Sequence, residues 1–106
     1  MALPQSHLVG VAAEFPEGTI VGRTVAGTDV ILIRRQGQLQ CYLDQCSHQP
    51  VKLSEFGEVS GGRLVCHAHG GTFDLDEKGR VICDPPMDAL TPVICSEMAG
   101  QVFVSI

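Results

Sequence analysis

The apolar positions of this chain fall into short runs that glycine-bearing turns separate. Residues 19–25 are rich in β-branched side chains, residues 29–35 contain a nearly continuous apolar run, and residues 39–43 alternate weakly. A short apolar run bounded by turn signals is typical of a buried strand. Ala26-Gly27 and Gln36-Gly37 separate the three segments, and such pairs favour tight turns. The pattern therefore predicts a three-stranded meander.

The second half of the chain continues in the same way. Short strands are predicted at residues 63–66, 72–75, 80–83, 92–95 and 101–105, with turns at 76–79 and 99–100. Residues 8–17 are compatible with a strand followed by a helical turn, and residues 44–62 are predicted to be irregular. No segment has a convincing amphipathic helical pattern. Many short strands at regular spacing predict an all-β, antiparallel sandwich or barrel, in one domain over residues 1–106.

Composition and charge narrow the classes of function. The chain has 106 residues, 44% of them hydrophobic, and a formal net charge of −5. All of this net charge lies in residues 44–106, which hold nine acidic and four basic residues. An acidic chain lacks the basic patch that binds a phosphate backbone, so we expect no nucleic-acid partner. No apolar run is long enough for a membrane-spanning helix, so we expect no membrane insertion.

The cysteines indicate the redox compartment. Their number is five, which is odd, and the first residues show neither the basic nor the apolar region of a secretion signal. We therefore expect reduced cysteines and a cytoplasmic location. Cys41, Cys83 and Cys95 lie in apolar strand segments and are predicted to be small buried side chains.

Two cysteine–histidine pairs stand apart from the strand pattern. Cys46-Ser47-His48 is followed, after seventeen residues, by Cys66-His67-Ala68-His69. Each pair offers a thiolate and an imidazole, and both ligand types prefer transition metals. Zinc fingers place like ligands together, whereas each half is mixed here. The arrangement favours a two-iron cluster, with two cysteines on one iron and two histidines on the other, over the alternative of a mononuclear zinc site.

The residues around these pairs resemble the two ligand boxes of Rieske [2Fe–2S] proteins. Leu53 follows the first histidine by five residues, and residues 69–74 continue the second box as H-G-G-T-F-D. The resemblance covers nearly the whole chain and implies a Rieske-type antiparallel β fold with the cluster-binding loops at one tip. It implies that residues 84–86, Asp-Pro-Pro, form a loop that covers the cluster, and it leaves His67 as a surface side chain near a partner interface. The implied ligands of one [2Fe–2S] cluster are Cys46, His48, Cys66 and His69.

Departures from other branches of this family point to the redox potential. The respiratory and photosynthetic Rieske proteins carry an additional disulfide, and the matching positions here are Val51 and Ala68. Those proteins also place a serine where this chain has Gly71, and Phe73 has no phenolic hydroxyl. Fewer hydrogen bonds to the cluster sulfur stabilise the reduced state less. The resemblance therefore implies a potential low in the Rieske range.

The resemblance is closest to the small ferredoxins of bacterial multicomponent oxygenases. It implies a monomeric one-electron carrier, not an enzyme, which docks transiently on a reductase and a terminal oxygenase through the cluster tip. The runs Cys46-Ser47-His48-Gln49, Leu53-Ser54-Glu55 and Cys66-His67-Ala68-His69 look most like those of ferredoxins that serve diiron hydrocarbon monooxygenases. Ferredoxins of ring-hydroxylating dioxygenases more often have proline in place of His67, so a diiron monooxygenase is the favoured terminal oxygenase. A ring-hydroxylating dioxygenase and a small Rieske subunit of a nitrite-reductase-like enzyme are the alternatives. The acidic residues of the second half form either a solvated surface or a field that steers basic partners.

Overall fold

The computed structural model describes residues 5–45, 52–67, 71–77, 80–81 and 90–106. Within these residues the chain forms ten strands, one four-residue helix and two turns of 3₁₀ helix at Ala12–Glu14 and Leu75–Glu77. The helix α1 covers Leu53–Phe56. The strands are β1 Ser6–Val11, β2 Ile20–Val25, β3 Thr28–Arg35, β4 Gln38–Leu43, β5 Gly57–Ser60, β6 Arg63–Cys66, β7 Gly71–Asp74, β8 Arg80–Val81, β9 Ile94–Met98 and β10 Gln101–Ser105.

These strands form three antiparallel sheets. The middle sheet has the order β2-β3-β4, which confirms the predicted meander. The terminal sheet has the order β1-β10-β9 and joins the two ends of the described chain. The loop sheet has the order β5-β6-β7-β8. The all-β, antiparallel class predicted from the sequence is confirmed.

Strand β3 explains why the apolar run is continuous. Successive side chains of a strand point to opposite faces, so both faces of β3 need a covering layer. Val30 and Leu32 pack on one side in the terminal core, and Ile31 and Ile33 pack on the other side in the loop core. The terminal core consists of Phe15, Val25, Val30, Leu32, Cys41, Val102 and Val104. The loop core consists of Ile31, Ile33, Tyr42, Leu53, Leu64, Cys66, Phe73, Leu75 and Leu90.

Three hairpins close through two-residue turns at Ala26-Gly27, Gln36-Gly37 and Ala99-Gly100. The first residue of each turn has φ of 50°, 53° and 50°, and the glycines have φ of 81°, 77° and 77°. Positive φ at both positions is the signature of the type I′ turn, whose twist matches that of the flanking strands. The turns therefore fix the strand register in the middle and terminal sheets.

Arg34 ties the middle sheet to β9. Its Nε donates to the Phe15 carbonyl at 2.7 Å, and its terminal nitrogens donate to the Gly37 carbonyl at 3.1 Å and to the Glu97 carboxylate at 3.0 and 3.3 Å. Hydrogen bonds from a guanidinium to a carboxylate are stronger than neutral ones. The link spans two sheets at the edge of the terminal core.

Residues 44–62, predicted to be irregular, contain α1 and β5, so that prediction is wrong for these elements. Leu53 opens α1 and is fully buried in the loop core. Strand β5 pairs with β6 from Gly57 opposite Cys66 to Ser60 opposite Arg63. Elements of four residues are too short to show a clear period, and the residues that cover them lie elsewhere in the chain. Residues 8–17 form β1 and a 3₁₀ turn, as the pattern allowed.

Candidate metal centre

Cys66 is the predicted ligand whose surroundings the structure describes. It is the last residue of β6, its side chain is fully buried, and it belongs to the loop core. In the loop sheet it lies between Gly57 of β5 and Gly71 of β7. Its thiol is free. A buried thiol at the end of a strand, directly before a loop, suits a ligand that must exclude water while facing a metal in that loop.

The other three predicted ligands, Cys46, His48 and His69, lie outside the described residues, as does the proline-bearing segment 84–86. Among the residues that are described, no group of three or more histidine, cysteine or carboxylate side chains converges. The four-residue ligand set therefore stays a prediction. The structure describes the residues that come directly before and after each of the two ligand-bearing segments.

The loop sheet brings the two ligand boxes to the same place. The first box leads into α1, and the second begins at the end of β6. The His67 N–H donates to the Phe56 carbonyl at 2.7 Å, which joins the last residue of α1 to the first residue after Cys66. This bond extends the β5–β6 ladder by one step. The exit of the first ligand loop and the entry of the second are thereby held side by side.

The apolar residues of both boxes pack in one core. Leu53 of the first box and Phe73 of the second are fully buried, and both contact the loop core that contains Cys66. The two boxes are thus anchored to the same layer of side chains, although they are separated along the chain. Gly71 lies in β7 directly opposite Cys66.

His67 lies between two predicted ligands and has a different environment. Its side chain is 58% exposed, and its Nε2 lies 2.5 Å from Oε2 of Glu58, which is 62% exposed. An exposed imidazole paired with a surface carboxylate has its outer nitrogen already engaged. The predicted surface position of His67 is confirmed.

The other described cysteines are structural. Cys41 is buried in the terminal core, and burial raises the pKa of its thiol to about 12. Cys95 is half-buried, its Sγ donates to the Leu39 carbonyl at 3.6 Å, and burial raises the pKa of its thiol as well. Metals bind the thiolate, so a raised pKa disfavours both as ligands. The prediction of a buried side chain is confirmed for Cys41, and Cys83 lies outside the described residues.

The sequence did not single out the pair Asp44 and Ser54. Asp44 is buried, and its carboxylate accepts hydrogen bonds from the N–H and the hydroxyl of Ser54, at 2.8 and 2.5 Å. The two residues lie on either side of the first ligand box. A signal for Asp44 was present only as an acidic residue two positions before Cys46, in a stretch predicted to be irregular.

The donors fit a [2Fe–2S] cluster. Two cysteines and two histidines in mixed pairs match the two unlike irons of a Rieske centre, and Cys66 is held dry at a strand end. Leu53 and Phe73 are fully buried in the same apolar core as Cys66. When bound, the cluster accepts and returns one electron at a time.

Comparisons with known proteins agree with this fit. The model of the family described as Rieske [2Fe-2S] domain matches residues 5–95. The chain is 38% identical over 78 residues to the chloroplast protein TIC 55 of Arabidopsis thaliana, a match that covers 73% of this chain and 14% of that protein. It is 33% identical over 72 residues to the ferredoxin component of the naphthalene 1,2-dioxygenase system of Pseudomonas aeruginosa, covering 68% of this chain and 67% of that one.

A solved structure extends the likeness to the fold. One chain of the complex of reduced oxygenase and oxidized ferredoxin in carbazole 1,9a-dioxygenase superposes with a TM-score of 0.83 at 27% identity, covering 94% of this chain and 92% of that one. The family match spans most of the described sheets and both predicted ligand boxes. The chain therefore belongs to the Rieske [2Fe–2S] domain family, and its cofactor is one [2Fe–2S] cluster.

Proposed function

We propose that this chain is the ferredoxin component of a ring-hydroxylating dioxygenase system. It carries single electrons from an NAD(P)H-dependent reductase to a terminal oxygenase. The observation that carries the proposal is the match to the naphthalene dioxygenase ferredoxin, which extends over two thirds of both chains. The match to TIC 55 spans 14% of that protein's length, so TIC 55 provides no guide to the activity of this chain.

In this proposal Cys46, His48, Cys66 and His69 hold the cluster. Neutral imidazoles in place of two thiolates make the cluster less negative in both oxidation states. Its potential therefore lies well above that of all-cysteine ferredoxins. Such a potential suits a carrier between a reductase and an oxygenase. Two relatives that are matched over most of this chain are ferredoxin components, so we infer that the chain itself transfers electrons and transforms no substrate.

The partners dock where the ligand loops leave the loop sheet. At that end Phe56 is 42% exposed. The exposed side chains of Glu58 and His67 lie beside it. An exposed aromatic side chain next to polar groups is typical of the centre of a transient interface. An acidic neighbour such as Glu55 or Glu58 favours a partner with a basic rim.

We also propose that the chain acts as a monomer in the cytoplasm, because a shuttle must present the same tip to two partners in turn. In the described part of the chain, no helix combines the length and the hydropathy needed to cross a bilayer.

A diiron hydrocarbon monooxygenase is the second candidate for the terminal oxygenase. The observation that favours it is His67 in the second box, at a position where dioxygenase ferredoxins more often have proline. The described His67 is exposed and paired with Glu58, so it is placed to contact a partner.

One reconstitution separates the two candidates. The purified ferredoxin is mixed with a reductase and with either a ring-hydroxylating dioxygenase or a diiron monooxygenase, and NADH-dependent product formation is measured. We expect turnover with the dioxygenase. Turnover with the diiron enzyme alone selects the second candidate, and turnover with neither overturns both.

A matched pair of variants tests the ligand assignment. His69→Ala is expected to lose the two irons and the Rieske electron paramagnetic resonance signal, whereas His67→Ala keeps both. Loss of the cluster in His67→Ala with retention in His69→Ala would show that the assignment is wrong. His48→Ala serves as the equivalent test for the first box.

A further inference from the structure

Asp44 is a buried carboxylate that the ligand set does not use. It is 8% exposed and lies two residues before Cys46, at the start of the first ligand loop. Both of its oxygens are bound by one residue on the far side of that loop. Oδ1 accepts from the Ser54 N–H at 2.8 Å, and Oδ2 accepts from the Ser54 hydroxyl at 2.5 Å.

This contact gives a backbone N–H in the first turn of α1 a hydrogen-bond acceptor that lies outside the helix. The first N–H groups of a helix have no partner within the helix, and the residue that precedes the first turn commonly provides one. Lys52, which precedes α1, makes no side-chain hydrogen bond to it. Asp44 takes over that role across ten residues of sequence. A buried carboxylate is costly unless it is hydrogen-bonded, so Asp44 depends on the two donors of Ser54.

Both ends of the contact are fixed to the middle sheet. The Asp44 N–H donates to the Asp29 carbonyl at 2.9 Å. On the other side, α1 approaches β2 so closely that a Cβ added to Gly22 would lie 3.0 Å from the Ser54 Cβ. Leu53 is fully buried beside it. The hydrogen bonds therefore join two anchored points, Asp44 and Ser54, which lie on either side of the segment that carries Cys46 and His48.

A second contact at the base of this loop is weaker. Lys52 Nζ lies 3.3 Å from Oδ2 of Asp29, and both side chains are well exposed. Exposed ion pairs contribute little to stability. Asp44 is buried although Ser54 is exposed, and the two hydrogen bonds from Ser54 to the Asp44 carboxylate constrain the loop ends more than this ion pair does.

We propose that Asp44 is a positioning residue for the [2Fe–2S] cluster, acting through Ser54 to fix the span of the loop that presents Cys46 and His48. The inference rests on the ligand set of the proposed function. The same helix is joined to the second ligand box by the bond from the His67 N–H to the Phe56 carbonyl. A shift of α1 therefore changes the separation of the two boxes, and with it the geometry at the irons.

Three variants of the full chain separate position from charge. Asp44→Ala removes both hydrogen bonds. Asp44→Asn keeps them, because the amide oxygen accepts from the Ser54 N–H and the amide nitrogen donates to the Ser54 hydroxyl oxygen. Ser54→Ala removes the hydroxyl bond alone. Thr24→Val is the matched control, since it removes another hydroxyl–carboxylate bond, of 2.6 Å to Asp29, in the β2–β3 hairpin.

The readouts are the rate of cluster loss to an iron chelator and the g values of the reduced protein. Asp44→Ala is expected to lose its cluster about 10- to 100-fold faster and to show shifted g values, as the loss of bonds to a charged group implies. Ser54→Ala changes in the same direction by less, and Asp44→Asn and Thr24→Val stay close to the parent. The inference is overturned if Asp44→Asn behaves like Asp44→Ala, or if Asp44→Ala behaves like Thr24→Val.

An iron-free measurement separates this inference from the ligand assignment. Hydrogen exchange of the Ser54 and Glu55 amides in the metal-free chain reports the contact directly. We expect faster exchange in Asp44→Ala than in Asp44→Asn. If the parent binds no iron, the proposed function fails while this difference persists. If the parent binds its cluster and the two variants exchange alike, the inference about Asp44 fails alone.

Discussion

The terminal core and the loop core lie on opposite faces of the same middle sheet, yet they are enclosed differently. Around the terminal core, hairpins close through two-residue turns, and β1 pairs with β10 to join the chain ends. Around the loop core, strands β6 and β7 are separated by residues 67–70, which include the predicted ligand His69. Cys66, itself a predicted ligand, is part of that core.

The difference teaches which part of the molecule depends on the metal. Turn chemistry, the pairing of β1 with β10 and apolar packing define the terminal core, and none of its residues is a predicted cluster ligand. The loop core contains Leu53, Cys66 and Phe73 of the two ligand boxes, and we expect the bound cluster to tie these boxes together. A metal that ties separate loops together contributes its binding free energy to folding. We therefore expect that iron removal, or a substitution in one core, affects the stability of that core more than that of the other.

Removal of iron is expected to have the largest effect. In the metal-free full chain, amides of α1, β6 and β7 should exchange at least about tenfold faster than in the loaded protein, because local opening no longer breaks the cluster. Amides of β3 and β10 should change little. Hydrogen exchange with residue resolution provides the measurement. A uniform increase over both cores would show that the molecule opens as one unit.

Two neighbouring residues of β3 provide a sharper test. Ile31 faces the loop core and Leu32 faces the terminal core, and both are fully buried. Ile31→Ala and Leu32→Ala should each lower the free energy of unfolding by about 2–5 kcal/mol. Only Ile31→Ala should also speed the release of iron, since only that side contacts Cys66 and its neighbours. Equal acceleration of release in both variants would contradict the separation of the cores.

Alkaline pH tests the two faces of the middle sheet through Cys41 and Tyr42, which are neighbours in β4. Burial raises the pKa of Cys41, in the terminal core, from 9.0 to about 12, and that of Tyr42, in the loop core, from 10.0 to about 12. Both groups are neutral in the folded protein, so the unfolded chain releases its protons first as the pH rises. The stability they contribute is complete below the unfolded pKa values and is lost between them and about pH 12.

Urea unfolding of the metal-free chain between about pH 8 and pH 11 measures this loss, in the range where the unfolded groups ionise. Cys41→Ala should remove the part of the decline that begins near pH 9, and Tyr42→Phe the part that begins near pH 10. An unchanged slope in both variants would show that other groups govern the alkaline decline.

The smallest expected effect concerns a turn of the terminal sheet. Ala99 has φ of 50°, a left-handed conformation that alanine adopts at a cost and asparagine more readily. Ala99→Asn should stabilise the chain by about 0.5–1 kcal/mol without changing cluster release. Thermal unfolding of the loaded and metal-free forms tests this. A gain confined to the loaded form would show that the turn is coupled to the loop core.

The ligand motif predicted the family but not the class of terminal oxygenase. A few positions of the two ligand boxes, His67 among them, predict a diiron monooxygenase, and this finer assignment is not confirmed. The match to a naphthalene dioxygenase ferredoxin agrees better with the alternative. A few positions in the ligand boxes carry little information about the partner, because partners are recognised by the surface around the loops.

The sequence by itself determined most of the strand pattern, the tight turns and the resemblance to the family, but not α1 and β5. These features are local: Ala26-Gly27 and Gln36-Gly37 close hairpins through their own backbone angles, and the spacing of Cys46, His48, Cys66 and His69 is readable along the chain. The continuous apolar run of β3 also predicted burial before the covering layers were known.

Only the tertiary structure decided how the two ligand boxes are held. Three contacts join residues that are distant in sequence: Asp44 with Ser54, the His67 N–H with the Phe56 carbonyl, and Gly22 with Ser54. None of them has a periodic signal, because each depends on where α1 comes to rest against the middle and loop sheets. Packing across sheets sets that position, and a linear pattern does not record it.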